Sequence, residues 1–232
     1  MWRSRWWLRL RQSRGYGIHS PFAYDLITNV IYARYDYYAF YDIAQSLRKN
    51  GLHDDATAAF NRLSFRLINH FNAKHILEVN SGKGVNTCYL TAPASDIWCT
   101  CVEKEGEKVA VAKKLHSTAG CCEYVTTLPP SGSVKYDAIF INLKEREVVQ
   151  GATAGQKMQD EIDVQEYLSI ETLLPFSHEK TFWVIHSLKS RRSKHFWSAI
   201  VKDERFSVTF DIMKKVGIAF LRPSFHKVHY FV

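Results

Sequence analysis

The sequence has little of what marks several large classes of protein. It contains only 11 Gly and 6 Pro among 232 residues, which excludes collagen-like and low-complexity chains. No run approaches 18 consecutive apolar residues, so we expect no transmembrane helix. Hydrophobic residues still make up 46% of the chain, enough to bury a sizeable core and to exclude wholesale disorder. The length suits one domain with an extension rather than two full α/β domains.

Acidic residues are absent from residues 1–14, which hold five Arg. Residues 187–232 carry ten basic and three acidic residues, whereas residues 15–186 carry 16 basic and 20 acidic residues. Basic ends of this kind suit nucleic acid, anionic lipid or an acidic partner, and they also suit a solvated face. The tryptophans of 1–14 mix with the arginines without a clean apolar face. We therefore predict that this segment packs onto the domain and is not an autonomous membrane anchor.

The cysteine pattern is not that of a disulfide framework or a zinc finger. There are five cysteines, an odd number, and no His follows them at zinc-finger spacing. We assign no metal ligands and predict free, buried thiols in a reducing compartment. The first residues lead into no apolar signal region, so we predict a cytoplasmic protein. The cysteines are Cys88, Cys99, Cys101, Cys121 and Cys122.

The order of short apolar runs and helical patterns predicts the fold. From residue 74 onward five β-type runs alternate with helical segments, and the last two runs read as a hairpin. We predict an α/β, Rossmann-like, doubly wound and mostly parallel seven-stranded sheet that ends in an antiparallel hairpin. Residues 1–54 are predicted to form an N-terminal helical extension or lid, and residues 55–232 the Rossmann-like domain. The predicted strands are 75–79, 97–102, 123–126, 136–141, 181–185, 206–212 and 216–221.

Two strand ends carry the features of a nucleoside site. The first strand runs into Glu78-Val-Asn80-Ser81-Gly82-Lys-Gly84, and glycine before a helix allows close approach of a ligand to free N–H groups. Glu103 closes the second strand, 19 residues after Gly84. An acid at this place accepts hydrogen bonds from ribose hydroxyls. An ordinary tight turn and a surface glutamate remain the alternative.

This order of elements resembles the class I S-adenosylmethionine-dependent methyltransferases over residues 55–222. Residues 15–22 and 217–223 are similar to a bacterial O-methyltransferase-like group of the Bacteroidetes. The resemblance implies S-adenosylmethionine as cofactor, with Glu78 on its methionine or ribose side and Glu103 at the ribose hydroxyls. It also implies that the cofactor turn and the neighbouring strand end contribute Asn80, Ser81, Gly82, Gly84 and Asn142.

Three positions depart from the family pattern and make its motifs degenerate. Asn80 stands where relatives usually have the first Gly, and Asn tolerates left-handed φ best among the other residues. Asn142 and His186 stand where relatives commonly carry Asp. Without those acids the strand ends lack the hard ligands of Mg²⁺ or Ca²⁺, so we predict activity without a divalent metal. His186 remains the candidate general base, unless it only hydrogen-bonds locally.

The leading interpretation is methyl transfer to an oxygen, or a nitrogen, of a small-molecule acceptor. A binding or scaffold protein that keeps the fold without turnover is the main alternative, and the three departures favour it. Nucleic-acid methylation is a further alternative that has the basic ends but no base-reading motif behind it, and we do not expect a nucleic-acid partner. Whether the protein forms a homodimer is left open.

Overall fold

The computed structural model describes residues 11–13, 15–116, 121–130, 134–143 and 168–232. The predicted packing of residues 1–14 therefore lies mostly outside the described residues. The helices are α1 (Pro21–Asp25), which continues as a π-helix (Leu26–Ile31), α2 (Tyr38–Lys49), α3 (Ala58–Phe71), α4 (Val85–Thr91), α5 (Gly106–Leu115), α6 (Ile170–Leu173), followed by a 3₁₀ turn (Leu174–Phe176), and α7 (Arg191–Lys202). The strands are β1 (His75–Val79), β2 (Trp98–Val102), β3 (Cys122–Val125), β4 (Tyr136–Asn142), β5 (Ser177–His186), β6 (Val208–Ile212), β7 (Val216–Phe220) and β8 (Val228–Phe231).

The strands form one sheet in the order β3-β2-β1-β4-β5-β7-β6-β8. Strand β7 is antiparallel to both of its neighbours, and the other pairs are parallel. This confirms the predicted α/β fold class and the hairpin of β6 and β7.

The predicted number of seven strands is wrong, because β8 pairs in parallel with β6 as an eighth strand. Only Tyr230 of its four residues is buried, so a short edge strand of this kind gives almost no apolar periodicity. The outer edge is also covered in part, since the Phe231 N–H donates to Gln12 Oε1 at 2.8 Å. Covering the edge in this way protects it from pairing with another chain.

The N-terminal helices pack on the sheet. The Ser20 side chain caps α1 by accepting a hydrogen bond from the Ala23 N–H at 3.3 Å. Ala23 and the π-helix then enter the same hydrophobic cluster as α3 and one face of the sheet. Helix α3 buries Phe60, Leu63 and other residues at helical spacing. Whether residues 1–54 act as a lid stays a prediction.

Alternation along the strands decides which side chains meet on each face. In β1, Leu77 and Val79 enter one core cluster and Ile76 enters the opposite one, so Glu78 faces the same helices as Ile76. Strands β1 and β4 are neighbours although β2 and β3 lie between them in the chain. The strand order therefore reverses beside β1, where α/β sheets place ligands. In the described ranges no helix is long and apolar enough to cross a membrane.

Candidate functional site

The turn after β1 is held in a conformation that few residues adopt. Asn80, Gly82 and Gly84 have φ of 59°, 62° and 76°, the left-handed region that favours Gly and Asn. The N–H groups of Asn80 and Ser81 both donate to the Val102 carbonyl, at 2.9 and 3.2 Å. The turn is therefore tied to the end of β2.

The two glycines of the turn have different surroundings. A Cβ on Gly84 would stand 3.0 Å from Ala112 Cβ and 3.1 Å from the Tyr124 hydroxyl, whereas a Cβ on Gly82 would meet nothing within 4 Å. Gly84 thus allows close packing of the α4 start against α5 and β3. Gly82 instead faces open space, where a ligand could approach the backbone.

Glu103 lies directly against this turn. Its carboxylate accepts hydrogen bonds from the Gly82 N–H at 2.8 Å and from the Glu105 N–H at 3.0 Å. The side chain is nearly buried, with 6% of the residue exposed. The structure therefore brings together the turn and the acid that the sequence spacing selected, and it fixes the carboxylate by backbone donors.

Glu78 lies beneath the turn and is 3% exposed. Thr87 Oγ1 and Asn86 Nδ2 donate to its two carboxylate oxygens at 2.6 and 2.8 Å. Burial raises the pKa of this carboxyl above its ordinary value, although these two hydrogen bonds lower it in part. Among the described residues it makes no ion pair. Glu78 thus fastens the first turn of α4 to β1.

Asn80, Asn142 and His186, at which the sequence resemblance implies departures, contact one another. Asn80 Nδ2 donates to the Asn142 carbonyl at 2.9 Å, and Asn142 Oδ1 lies 3.3 Å from His186 Nδ1. The His186 ring stacks on Phe60 of α3, with 3.9 Å between the centroids and 10° between the planes. Asn142 and His186 are paired in the register of β4 and β5. This chain of contacts spans the ends of β1, β4 and β5.

Three orphaned polar atoms lie around the glycine turn. Within the described part of the chain, four buried side-chain atoms have no hydrogen-bond partner, namely Ser81 Oγ, Asn86 Oδ1, the Tyr124 hydroxyl and Arg222 Nε. The first three belong to the turn, the start of α4 and the adjoining β3. Buried polar atoms are rarely left unpaired, so these atoms indicate a place for a polar ligand. Sequence reasoning missed Asn86 and Tyr124, because neither belongs to a motif.

A cavity of about 230 Å³ lies beyond the ends of β4 and β5. It is lined by Leu143, Ser187, Lys189 and Ser190, which follow Asn142 and His186 in the chain. Ser190 caps α7 by accepting from the Ser193 N–H at 3.0 Å. The cavity is therefore next to the one histidine that the sequence proposed as a base.

Solved structures of methyltransferases have the same fold. The O-methyltransferase TomG from Streptomyces achromogenes, in complex with SAM, is 17% identical, with a TM-score of 0.54 over 85% of this chain and 95% of that one. An O-methyltransferase from Bacillus cereus, in complex with SAH, is 14% identical, with a TM-score of 0.52 over 83% and 95%. The SAH-bound methyltransferase PaMTH1 of Podospora anserina is 10% identical, with a TM-score of 0.55 over 88% and 97%.

No protein-family model matches the chain, and no curated protein matches it in sequence. At these identities the likeness establishes the fold, which is the Rossmann-like α/β fold of these methyltransferases.

Proposed function

We propose that the protein is an S-adenosylmethionine-dependent methyltransferase that acts on an oxygen, or a nitrogen, of a small molecule. The observation that carries the proposal is the polar cradle at the β1–α4 turn. It combines open space at Gly82, a backbone-held acid at Glu103 and orphaned polar atoms at Ser81 and Asn86. The structural neighbours crystallised with SAM or SAH support the identity of the cofactor.

The residues around the turn suit an adenosyl cofactor. Each carboxylate oxygen of Glu103 accepts one backbone hydrogen bond and keeps lone pairs that can accept ribose hydroxyls. Gly82 gives the backbone access that a close ligand needs, and Ser81 offers a hydroxyl. Asn80 and Asn142 would border the methionine end. The cofactor, when bound, supplies an electrophilic methyl group.

His186 is the residue that we propose to accept the proton of the methyl acceptor. If its Nδ1 carries the hydrogen and donates to Asn142 Oδ1, then Nε2 is the basic nitrogen. Stacking on Phe60 fixes the plane of the ring. The acceptor would occupy the adjacent cavity, and positioning it there would supply most of the rate enhancement. No divalent metal is required in this proposal, because Asn142 and His186 replace the hard carboxylate ligands.

Calorimetric titration with S-adenosylmethionine and S-adenosylhomocysteine tests the cofactor part of the proposal. Saturable one-to-one binding supports it, and failure of both compounds to bind refutes it. Transfer of a labelled methyl group to a panel of phenols, carboxylic acids and amines then tests turnover.

The general base is tested by substitution. His186→Gln should lower the rate of methyl transfer by about 10²–10⁴-fold, whereas His195→Gln, on the exposed side of α7, should leave the rate unchanged. Turnover should be the same with Mg²⁺ and Ca²⁺ omitted, and a strict requirement for either would contradict the metal-independent proposal.

A binding protein without turnover is the second candidate. The Asn80 side chain reaches across to the Asn142 carbonyl, in space that a glycine at position 80 would leave free. If the cofactor binds and no acceptor is methylated, this candidate is preferred over the enzyme.

A further inference from the structure

All five cysteines of the chain gather in one place beneath the glycine turn. Cys99 and Cys101 are fully buried in β2, with their sulfurs 3.6 Å apart. Cys88 Sγ lies 3.6 Å from His116 Nε2, and Cys122 Sγ lies 4.0 Å from Nδ1 of the same ring. The Cys121 and Cys122 sulfurs are 3.8 Å apart. All five thiols are free, as predicted, but only Cys99 and Cys101 are buried; the other three are partly exposed.

One subset of this sulfur cluster has the arrangement of a metal site. Cys99 and Cys101 point to the same face of the sheet because they are two residues apart in β2. Glu78 lies on the neighbouring strand β1, directly opposite Cys101. Ligand atoms of Glu78, Cys99 and Cys101 all lie within 4.8 Å of one another. The Cys101 sulfur is 4.0 Å from Glu78 Oε2.

We propose that Glu78, Cys99 and Cys101 bind one Zn²⁺ ion at a place distinct from Gly82, Glu103 and His186, the residues on which the proposed methyl transfer rests. Thiolate and carboxylate are zinc ligands, and bond lengths of about 2.3 Å to sulfur and 2.1 Å to oxygen in a tetrahedron place two sulfurs about 3.8 Å apart and sulfur and oxygen about 3.6 Å apart. The Cys99–Cys101 and Cys101–Glu78 distances of 3.6 and 4.0 Å differ from these values by a few tenths of an ångström. The third distance, from the Cys99 sulfur to Glu78, is at most 4.8 Å, and the Glu78 carboxylate would close it by moving toward Cys99. Cys122, whose thiol interacts with that of Cys101, is a further sulfur beside this group.

The electrostatics of the site favour a cation. Glu78 is buried, and its carboxylate accepts hydrogen bonds from Thr87 and Asn86. His116 acts on it electrostatically, but it makes no direct ion pair with any described residue. Burying a carboxylate without a countercharge in direct contact is costly. A zinc ion would provide that countercharge, and coordination would release the two thiol protons to solvent. The ion would join β1 to β2 directly below the turn.

This site is separate from the strand-end positions where a hard cation would bind. Those positions hold Asn142 and His186, beyond the ends of β4 and β5, whereas the cysteines lie within β2. Sulfur ligands select zinc over Mg²⁺ or Ca²⁺. A buried zinc site and metal-independent methyl transfer are therefore compatible.

Cobalt is a suitable probe, because Co²⁺ bound to thiolates gives an intense sulfur-to-metal charge-transfer band. Full-length protein, reduced with a thiol-free reductant, should take up one equivalent of Co²⁺ with such a band, and one equivalent of Zn²⁺ should abolish it. Cys99→Ser and Cys101→Ser should each weaken the band at least twofold and reduce Zn²⁺ affinity at least tenfold. Cys121→Ser, in the same sulfur cluster but outside the ligand set, should retain both.

Two outcomes would overturn the proposal. One is the absence of a charge-transfer band and of any Zn²⁺-dependent rise in the melting temperature of the reduced wild-type protein. The other is a band that survives in both ligand variants. If these variants fail to fold, the double variant Cys88→Ser/Cys121→Ser, which keeps every proposed ligand, must retain one-to-one Co²⁺ binding with an unchanged band. Loss of the band in that folded double variant would refute the ligand assignment.

Discussion

Gly82 gives the sharpest test of the proposed cofactor site, because the chain contains a matched control. Gly82 and Gly51 have φ of 62° and 68°, and a Cβ on either would meet nothing within 4 Å. Alanine at either position therefore carries the same kind of cost, about 1–2 kcal/mol for left-handed backbone. For a chain of this size that cost lowers the melting temperature by roughly 2–8 °C. The two variants should thus be destabilised alike.

The two positions differ in what lies beside them. Gly82 donates its N–H to Glu103 in the turn after β1, whereas Gly51 follows α2, where its N–H donates to the Arg48 carbonyl. If an adenosyl ligand approaches the backbone at Gly82, the added methyl group occupies the space that the ligand needs. We expect Gly82→Ala to lose at least tenfold in affinity for S-adenosylhomocysteine, about 1.4 kcal/mol. Gly51→Ala should bind like the wild type.

Thermal unfolding with and without S-adenosylhomocysteine measures both effects at once. At a ligand concentration of 100 times the dissociation constant, binding stabilises the folded state by about 2.7 kcal/mol. The wild type and Gly51→Ala should show this ligand-dependent gain in the free energy of unfolding in full, and Gly82→Ala should show about half of it or less. Equal stabilisation of the two alanine variants by S-adenosylhomocysteine would refute the placement of the ligand over the turn, whatever their stabilities without ligand.

Further substitutions test the remaining contacts. Glu103→Gln should weaken cofactor binding by about 1–3 kcal/mol, the value of hydrogen bonds to a charged group; calorimetry measures this, and an unchanged affinity would contradict the ribose assignment. Asn80→Gly removes left-handed strain and also the hydrogen bond to Asn142, effects of about 1–2 and 0.5–1.5 kcal/mol with opposite signs; urea unfolding should show little change, and binding should be preserved or improved. Burial by itself raises the pKa of Asp137. Hydrogen bonds from two backbone N–H groups and from His178 lower it by more, so its pKa lies below the ordinary value. The resulting stabilisation is present above about pH 4 and lost as the pH falls through the lowered pKa, so Asp137→Asn should flatten the acid side of the stability curve, and an unchanged curve would contradict that assignment.

The fold could be predicted because its signal is local and repeated. Each buried parallel strand is a short apolar run, and the turn after β1 needs Gly or Asn at its left-handed positions. Strand β8 could not be predicted in the same way, since it has one buried residue and is defined by pairing with β6, 20 residues away at Thr209 and His229. A short edge strand depends on its partner more than on its own sequence.

The site was predicted less completely, because its contacts join residues that are distant in sequence. The sequence identifies Asn80, Asn142 and His186 as separate departures from a family pattern, each of which weakens a motif. In the structure they are one hydrogen-bonded chain, closed by the stack on Phe60. A glycine at position 80 has no side chain to reach Asn142, and an aspartate at 142 would place a carboxylate instead of an amide beside the ring. The three residues therefore form one connected arrangement at the strand ends, in which the Asn142 amide contacts the His186 ring, rather than three independent changes.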